Sequence, residues 1–213
     1  MSPHDSSQEN RLEGLSSSFF QRDVLKVAPD LLGSILEVKN NSLTLAARIV
    51  EVEAYRGPED QAAHSSGARR TPRNQVMWGP AGRLYVYFVY GMHWCTNVVC
   101  AGDGQPQAVL LRGAVPIQGE KEIRRRRRRD LDLEVLLRGP ACLSKGLGID
   151  GGDNGAVLGR GRFRLRAGIL APEEVVKQSP RIGVDYAGED AQLPWRYYIA
   201  GSPGVSGPAR LRR

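Results

Sequence analysis

The spacing of apolar positions predicts one helical region near the start of the chain, followed mainly by strands. From Phe19 the apolar positions recur at helical spacing, with Pro29 placed to kink the helix and Gly33 to end it. Strand-like patterns follow at residues 34–38, 43–55, 83–90, 93–100, 108–112, 162–170 and 195–200. Strands joined directly by turns are antiparallel. We therefore expect an α+β fold: a single domain with a curved antiparallel β-sheet, flanking helices and a protruding β-hairpin.

The flanking helices are predicted from three later patterns. Residues 120–137 have a helical pattern, Pro140 stands near the first turn of a second helix, and residues 173–178 are predicted as a short helix. A further helical turn is expected around residues 59–64, inside a Gly-, Pro- and Arg-rich loop.

The chain divides into one domain with polar ends. Residues 1–17 are polar and Ser-rich, which predicts a disordered N-terminal segment. Residues 18–206 form the expected domain, without an internal repeat or a linker, and residues 207–213 form a basic C-terminal tail.

The long strand at residues 43–55 changes its pattern halfway along. Apolar residues share one parity up to Ile49 and the other parity from Val50. Such a change indicates a β-bulge, and it places Glu51, Glu53 and Tyr55 together on one face. We expect the functional site here.

The next two strands form a hairpin whose turn carries large apolar side chains. Tyr85 and Tyr87 share one face of the strand, whereas Tyr90 stands at the turn beside Gly91 and Met92. Aromatic strand faces are most often core. An exposed ring at a hairpin tip, in contrast, is stabilised when a partner buries its apolar surface. Such a side chain can be inserted between base pairs.

The charge of the chain favours an anionic partner. The formal net charge is +7, the sequence pI is about 9.6, and arginine greatly outnumbers lysine. Arginine binds phosphate with two parallel hydrogen bonds, although a GC-rich genome also favours arginine codons. The run Arg124–Arg129 fits a solvated helix face and a phosphate-binding surface equally well.

Cysteine usage and hydropathy indicate the compartment. The chain has three cysteines, Cys95, Cys100 and Cys142, without a recognisable signal peptide. We therefore expect reduced thiols and a cytoplasmic location. His93 and Cys95 share a strand face, but no further pair completes a metal site, so no metal is expected.

Candidate catalytic groups cluster at the end of the long strand. Glu53 can act as a general base towards water if it is partly desolvated, although an isolated glutamate is more often a surface residue. Spacing does not rank Glu53 above Glu51. His64 can orient a substrate or transfer protons near neutral pH, and it also fits a satisfied loop histidine.

Several ordered runs of the sequence resemble one family of DNA repair enzymes. They include V-E-V-E-A-Y-R-G-P-E-D-Q-A-A-H-S, T-P-R-N, L-Y-V-Y-F-V-Y-G-M-H-W-C-T-N, R-I-G-V and P-W-R-Y-Y-I-A-G-S-P. Together these runs are similar to the alkyladenine (3-methyladenine) DNA glycosylase family of bacteria and animals. The resemblance spans roughly residues 18–206.

The resemblance implies a role for each candidate residue. The resemblance implies that Glu53 and Arg112 form the catalytic pair. Glu53 would activate the attacking water, and Arg112 would help to hold both Glu53 and that water. The residues that line the pocket for the extruded base are Tyr55, His64, Tyr87 and Asn97, and Asn97 would exclude guanine. The residues that contact DNA are Tyr90, which enters the minor groove, Met92 and Arg73.

The resulting hypothesis is a monomeric DNA repair hydrolase without a cofactor. It acts on double-stranded DNA carrying a damaged purine, with no membrane partner, and would associate with the bacterial nucleoid through DNA. No lysine lies between Glu51 and Arg112, which argues against a Schiff-base lyase step. The alternative is a noncatalytic, basic nucleic-acid-binding module. An RNA-modifying or formyl-transfer enzyme would need a cofactor motif that we do not find.

Overall fold

The computed structural model describes residues 14–209, and within them the fold is α+β, as predicted. All strand pairs of its nine-stranded sheet are antiparallel. The strands are β1 (Ile35–Asn40), β2 (Leu43–Tyr55), β3 (Leu84–Val89), β4 (His93–Cys100), β5 (Gln107–Gln118), β6 (Leu137–Arg138), β7 (Phe163–Arg166), β8 (Val176–Ser179) and β9 (Arg196–Ile199). Six of them follow the order β3-β4-β5-β2-β1-β7, while β6 pairs with β5, and β9 pairs with β2 and β8.

Four α-helices flank this sheet in the described part of the chain. They are α1 (Ser17–Phe20), α2 (Val24–Asp30), α3 (Glu120–Arg127) and α4 (Pro140–Leu147). Asp23 caps α2 by accepting a hydrogen bond from the backbone of Leu25, and α2 ends one residue after Pro29. Pro140 opens α4, as the sequence predicts.

Strand β2 changes partners at the predicted bulge. Its first half pairs with β1, and from Glu51 the same edge pairs with β9, while β5 covers the other edge. The register against β5 shifts on both sides of Glu51, so the prediction of a bulge is confirmed. Because both edges are paired and both faces covered, Glu51 and Glu53 are fully buried.

Two helix predictions are wrong in part or in whole. Residues 173–178 do not form a helix, because Val176–Ser179 pairs with β9 as the edge strand β8. The helix predicted over residues 120–137 ends at Arg127, since Arg128 adopts a left-handed conformation with φ 51°. Hydrogen-bonded turns occupy residues 59–64.

The arginine run makes mostly internal contacts. Arg124 pairs with Glu120, Arg125 and Arg126 share Glu122, and Arg124 and Arg127 each donate to a backbone carbonyl of residues 131 or 136. These contacts favour the interpretation of residues 124–127 as a solvated helix face, and residues 128 and 129 are exposed beyond it.

The predicted ends of the domain are only partly described. Residues 1–13 of the predicted disordered segment and residues 210–213 of the predicted tail lie outside the described range. Gly14 forms a bridge with Arg166 of β7. Among the residues that the structure describes, no helix is long and apolar enough to cross a membrane.

Candidate active site

A cavity of about 240 Å³ opens beside the second half of β2. Strands β3, β4 and β5 form one side of it, and the loop at residues 182–186 forms another. The lining side chains predicted from the sequence are Tyr55, His64, Arg73, Tyr87, Tyr90, Asn97 and Arg112. The structure therefore brings most of the predicted site residues to one place.

Glu53 lies directly behind the inner wall of the cavity. Its Oε1 atom accepts a hydrogen bond from the Ile182 backbone N–H (2.7 Å) and lies 3.3 Å from Nη1 of Arg112. Its Oε2 atom accepts a hydrogen bond from the Tyr55 hydroxyl at 2.9 Å. A carboxylate oxygen can accept two hydrogen bonds, and among the described residues Tyr55 is the donor to Oε2. Tyr55, Arg112 and Ile182 separate Glu53 from the cavity and line it themselves.

Glu51, two residues earlier, has a different set of partners. Its Oε1 atom accepts from Nε of Arg196 (2.6 Å) and from Nε of Arg112 (3.2 Å), and its Oε2 atom accepts from the Ser206 backbone N–H (2.6 Å). Of these partners Arg112 lines the cavity, whereas Arg196 and Ser206 are not among the described residues that line it. The two glutamates that spacing could not rank are thus distinguished by how many of their partners face the cavity.

Arg112 connects the two carboxylates. Burial alone lowers the pKa of Arg112, but the charges of Glu53 and Glu51 outweigh it and raise that pKa above its ordinary value. Arg112 therefore stays charged. Two further hydrogen bonds, from its Nε and Nη2 atoms to the Ser206 hydroxyl, fix the plane of the guanidinium.

Tyr55 is held from behind by a second buried ion pair. The Arg181 guanidinium lies 4.9 Å from the Tyr55 ring centroid and 5.0 Å from that of Trp195. Arg181 also forms two hydrogen bonds with the Asp60 carboxylate, at 2.6 and 2.8 Å, with both side chains fully buried. Burial, and then the charge of Glu53, raise the pKa of Tyr55 well above 10, so its hydroxyl keeps its proton.

His64 forms the opposite part of the lining. Its Nδ1 atom lies 2.8 Å from the Tyr85 hydroxyl oxygen, and its ring meets the Tyr87 ring edge-on, with centroids 4.5 Å apart. His64 is open to solvent on its cavity side, but loss of hydration against the cavity walls, and then the charge of Arg73, lower its pKa from 6.5 to about 4. His64 is therefore neutral at pH 7.

This pKa shift predicts a pH dependence of stability. Between pH 6.5 and about 4 the unfolded chain binds a proton on His64 that the native protein does not bind. The stabilisation linked to neutral His64 is thus complete above pH 6.5 and is lost as the pH falls towards 4. Urea unfolding at pH 7 and pH 5 should show a smaller loss of stability in His64→Gln than in the wild type. An equal loss in both proteins would contradict the shift.

Asn97 and Arg73 are positioned by contacts within the hairpin. Asn97 is nearly fully buried and donates its side-chain amide to the Tyr85 carbonyl at 3.0 Å. Arg73 donates to the Phe88 carbonyl at 2.9 Å, and its guanidinium lies 5.3 Å from the Tyr87 ring centroid. The loop that carries Arg73 is thereby attached to β3.

The turn between β3 and β4 presents two large side chains to solvent. Tyr90 is 82% exposed and Met92 69% exposed. Tyr90 has φ 53° and Gly91 φ 67°, the left-handed conformation of the two central residues of a type I′ turn, and the Met92 N–H donates to the Val89 carbonyl across it. The exposed side chains at the tip agree with the sequence analysis, whereas the protrusion of the hairpin stays a prediction.

Sequence reasoning missed several groups that shape the site. From sequence Tyr85 is only a strand aromatic, although its parity with Tyr87 is a usable signal. Ile182 belongs to the run R-I-G-V, to which the sequence assigns no role, and Tyr186 follows that run; the place of both at the cavity comes from the fold. The buried pair of Asp60 and Arg181 joins residues that are 121 positions apart, which no local pattern reveals.

The three cysteines are free thiols, and Cys95 lines the cavity. Burial raises the pKa of the Cys95 thiol, so it stays protonated. Among the described residues, no group of three or more His, Cys, Asp and Glu side chains could hold a metal ion.

Comparison with known proteins places this geometry in context. Residues 18–203 match the sequence model of the family described as methylpurine-DNA glycosylase. Two curated relatives named "Putative 3-methyladenine DNA glycosylase" come from Rhodopseudomonas palustris (strain BisB18) and Bacillus cereus (strain AH820). The first is 47% identical over 91% of this chain and 91% of its own length, and the second 42% identical over 89% of this chain and 97% of its own. A relative of the same name from Clostridium acetobutylicum is 39% identical over 90% of this chain and 97% of its own length.

Proposed function

The chain belongs to the methylpurine-DNA glycosylase family, and we propose that this DNA glycosylase extrudes an alkylated purine from duplex DNA and hydrolyses its N-glycosyl bond at Glu53. The proposed lesions are of the 3-methyladenine type, together with hypoxanthine and ethenoadenine. The observation that carries the proposal is the Glu53 carboxylate. Three groups hold it directly behind the cavity wall, and all three of them line the cavity themselves.

The proposed reaction uses one water molecule. Glu53 takes a proton from this water while the water oxygen bonds to C1′ of the deoxyribose. The bond between C1′ and the base nitrogen breaks, its electron pair leaves with the base, and an abasic site remains. No lysine is among the described residues that line the cavity, so we propose a hydrolase without a Schiff-base step.

The cavity walls suit a planar and often cationic base. A base within a duplex must leave the stack before its C1′ atom can be reached, at a cost of a few kcal/mol. In the proposed complex Tyr55, His64 and Tyr87 hold the extruded base, because electron-rich rings attract a positively charged purine. Asn97, at the cavity wall, is the proposed barrier to guanine.

The remaining proposed contacts are with DNA. Tyr90 and Met92 at the hairpin tip would fill the gap left by the extruded nucleotide. Arg73 adds positive charge at the rim of the cavity. The net charge of +7 provides the attraction to phosphate that non-specific DNA binding requires.

The direct test is excision from defined duplexes. Oligonucleotides that carry one hypoxanthine, ethenoadenine or 7-methylguanine are incubated with the protein, and abasic sites are cleaved with alkali. We expect cleavage at the lesion and none in an undamaged duplex. If no lesion is cleaved and methylated genomic DNA releases no purine, the protein is a nucleic-acid-binding module and the proposal is wrong.

Replacing Tyr90 with alanine should weaken stable extrusion of the base. Contact between a base and an aromatic ring contributes roughly 1–3 kcal/mol, so about a tenfold loss is expected. Ethenoadenine fluorescence measures extrusion directly, in a Glu53→Gln background that prevents cleavage. Because Tyr90 is exposed, the substitution should leave stability unchanged. Tyr90→Phe is the matched control and should behave as the wild type; normal extrusion by Tyr90→Ala would rule out the wedge.

A further inference from the structure

The hydrogen bond between His64 and Tyr85 at the cavity can have either residue as its donor. The His64 Nδ1 atom and the Tyr85 hydroxyl oxygen lie 2.8 Å apart, and either atom can provide the proton. A neutral imidazole carries one proton, so a proton on Nδ1 leaves Nε2 as an acceptor, whereas a proton on Nε2 makes that atom a donor. The direction of this bond therefore decides what His64 offers to a ligand.

Arg73 is the charged group that bears on this direction. Its guanidinium is anchored by the Phe88 carbonyl and lies over the Tyr87 ring, whose centroid is 5.4 Å from that of Tyr85. Its charge lowers the pKa of Tyr85 in opposition to burial. A positive charge beside the phenol oxygen attracts its lone pairs and turns its proton away, towards His64. Burial is the larger effect and raises the pKa of Tyr85 to about 12, so the hydroxyl has a proton to donate.

We propose that Tyr85, oriented by Arg73, fixes His64 as the tautomer protonated on Nε2, and that this N–H donates a hydrogen bond to the leaving base of neutral lesions. In the described part of the chain, Nδ1 is the His64 ring nitrogen with a protein partner. His64 is an exposed residue of the cavity lining, so Nε2 is available to a ligand. The second half of this inference rests on the proposed function.

The chemistry predicts which substrates depend on the donor. When a neutral purine such as hypoxanthine leaves with the electron pair of the broken bond, negative charge develops on the base. A fixed N–H donor stabilises that charge. A cationic purine such as 7-methylguanine becomes neutral on leaving, and it gains little from the same donor. Tyr85 is thus a positioning residue that extends the substrate range to neutral lesions.

The tautomer can be read in the free protein. Long-range ¹H–¹⁵N spectra of ¹⁵N-labelled protein at pH 7 distinguish protonated from unprotonated ring nitrogens, and the spectrum of His64→Gln assigns the signals among the three histidines. We expect a protonated Nε2 and an unprotonated Nδ1 in the wild type, and a mixture of tautomers in Tyr85→Phe. A protonated Nδ1 in the wild type would overturn the proposal.

The consequence for catalysis is measured as a ratio of two rates. In Tyr85→Phe only the fraction of His64 that is protonated on Nε2 keeps the donor. Hypoxanthine excision should therefore fall by the same factor as that fraction does in the spectra, about twofold for an equal mixture of tautomers, whereas 7-methylguanine excision should stay unchanged. An equal loss on both lesions would mean that Tyr85 contributes packing only. A wild type that excises neither lesion would contradict the proposed function, whereas the spectra would still report the tautomer.

A matched control separates this role from the loss of a buried hydroxyl. Tyr197 in β9 is also nearly fully buried, and it belongs to the main hydrophobic core and not to the cavity lining. Tyr197→Phe should leave both the tautomer and the ratio of the two rates unchanged. Thermal unfolding of both variants verifies that each is folded at the assay temperature.

Discussion

Glu53→Gln should abolish excision and leave binding to damaged DNA nearly intact. A positioned general base contributes roughly a hundred- to ten-thousand-fold to a rate, and glutamine cannot take the proton from water. The amide oxygen can still accept from the Ile182 backbone N–H, and the amide nitrogen can donate to the Tyr55 hydroxyl oxygen, so the pocket should keep its shape. Single-turnover cleavage of a hypoxanthine duplex gives the rate, and fluorescence anisotropy of the same duplex gives the affinity.

Comparing the cleavage rate with the binding affinity distinguishes a catalytic role of Glu53 from a structural one. If cleavage and binding fell together, Glu53 would hold the pocket together and would not act as the base. If the variant cleaved at the wild-type rate, the proposed mechanism would be wrong. The noncatalytic alternative predicts a third pattern, in which the wild type binds with steep salt dependence and shows neither cleavage nor a preference for lesions.

Glu51→Gln should destabilise the fold far more than Glu53→Gln does. Glu51 is the common acceptor for Arg112, Arg196 and the Ser206 backbone N–H, all of them buried. Removing one member of a buried ion pair costs about 3–5 kcal/mol. Glu51 is shared by two buried arginines, with its closest contact at 2.6 Å, whereas Glu53 is paired with Arg112 at 3.3 Å. Urea unfolding measures the loss in each variant.

The two variants form a matched pair, because the same substitution is made two residues apart on one strand. Glu51→Gln should unfold at a lower temperature than the wild type, and it should be active at temperatures where it is folded. Glu53→Gln should be folded and inactive. The opposite result, a stable inactive Glu51→Gln with an active Glu53→Gln, would exchange the roles assigned to the two carboxylates.

The sequence could predict those parts of the structure that depend on local pattern. The parity change at Val50 predicted the bulge, and the register shift on both sides of Glu51 confirms it. The β3–β4 hairpin and the start of α4 at Pro140 also follow from signals within a few residues of sequence. The resemblance to the glycosylase family, carried by ordered motifs, is confirmed by the family match over residues 18–203.

Parts that depend on distant partners could not be predicted from pattern. Residues 173–178 have helical propensity, but pairing with β9 makes Val176–Ser179 a strand. Helix α3 ends early without a glycine or proline, where Arg124 and Arg127 donate to carbonyls of the following loop. The ranking of Glu51 and Glu53 required Arg196 and Ile182, which are 145 and 129 positions away from them.

The buried pairing around Glu51 has a consequence for the order in which the protein is made. The strand with both carboxylates emerges early during synthesis, whereas Arg196 and Ser206 follow 145 and 155 positions later. Contacts across such separations are closed late in folding, after the loop entropy has been overcome. A ribosome-bound chain that lacks residues 196–206 cannot form the contacts of Glu51 with Arg196 and Ser206 or those of Arg112 with Ser206. We therefore expect the candidate catalytic wall to become fixed only after residue 206 has left the ribosome.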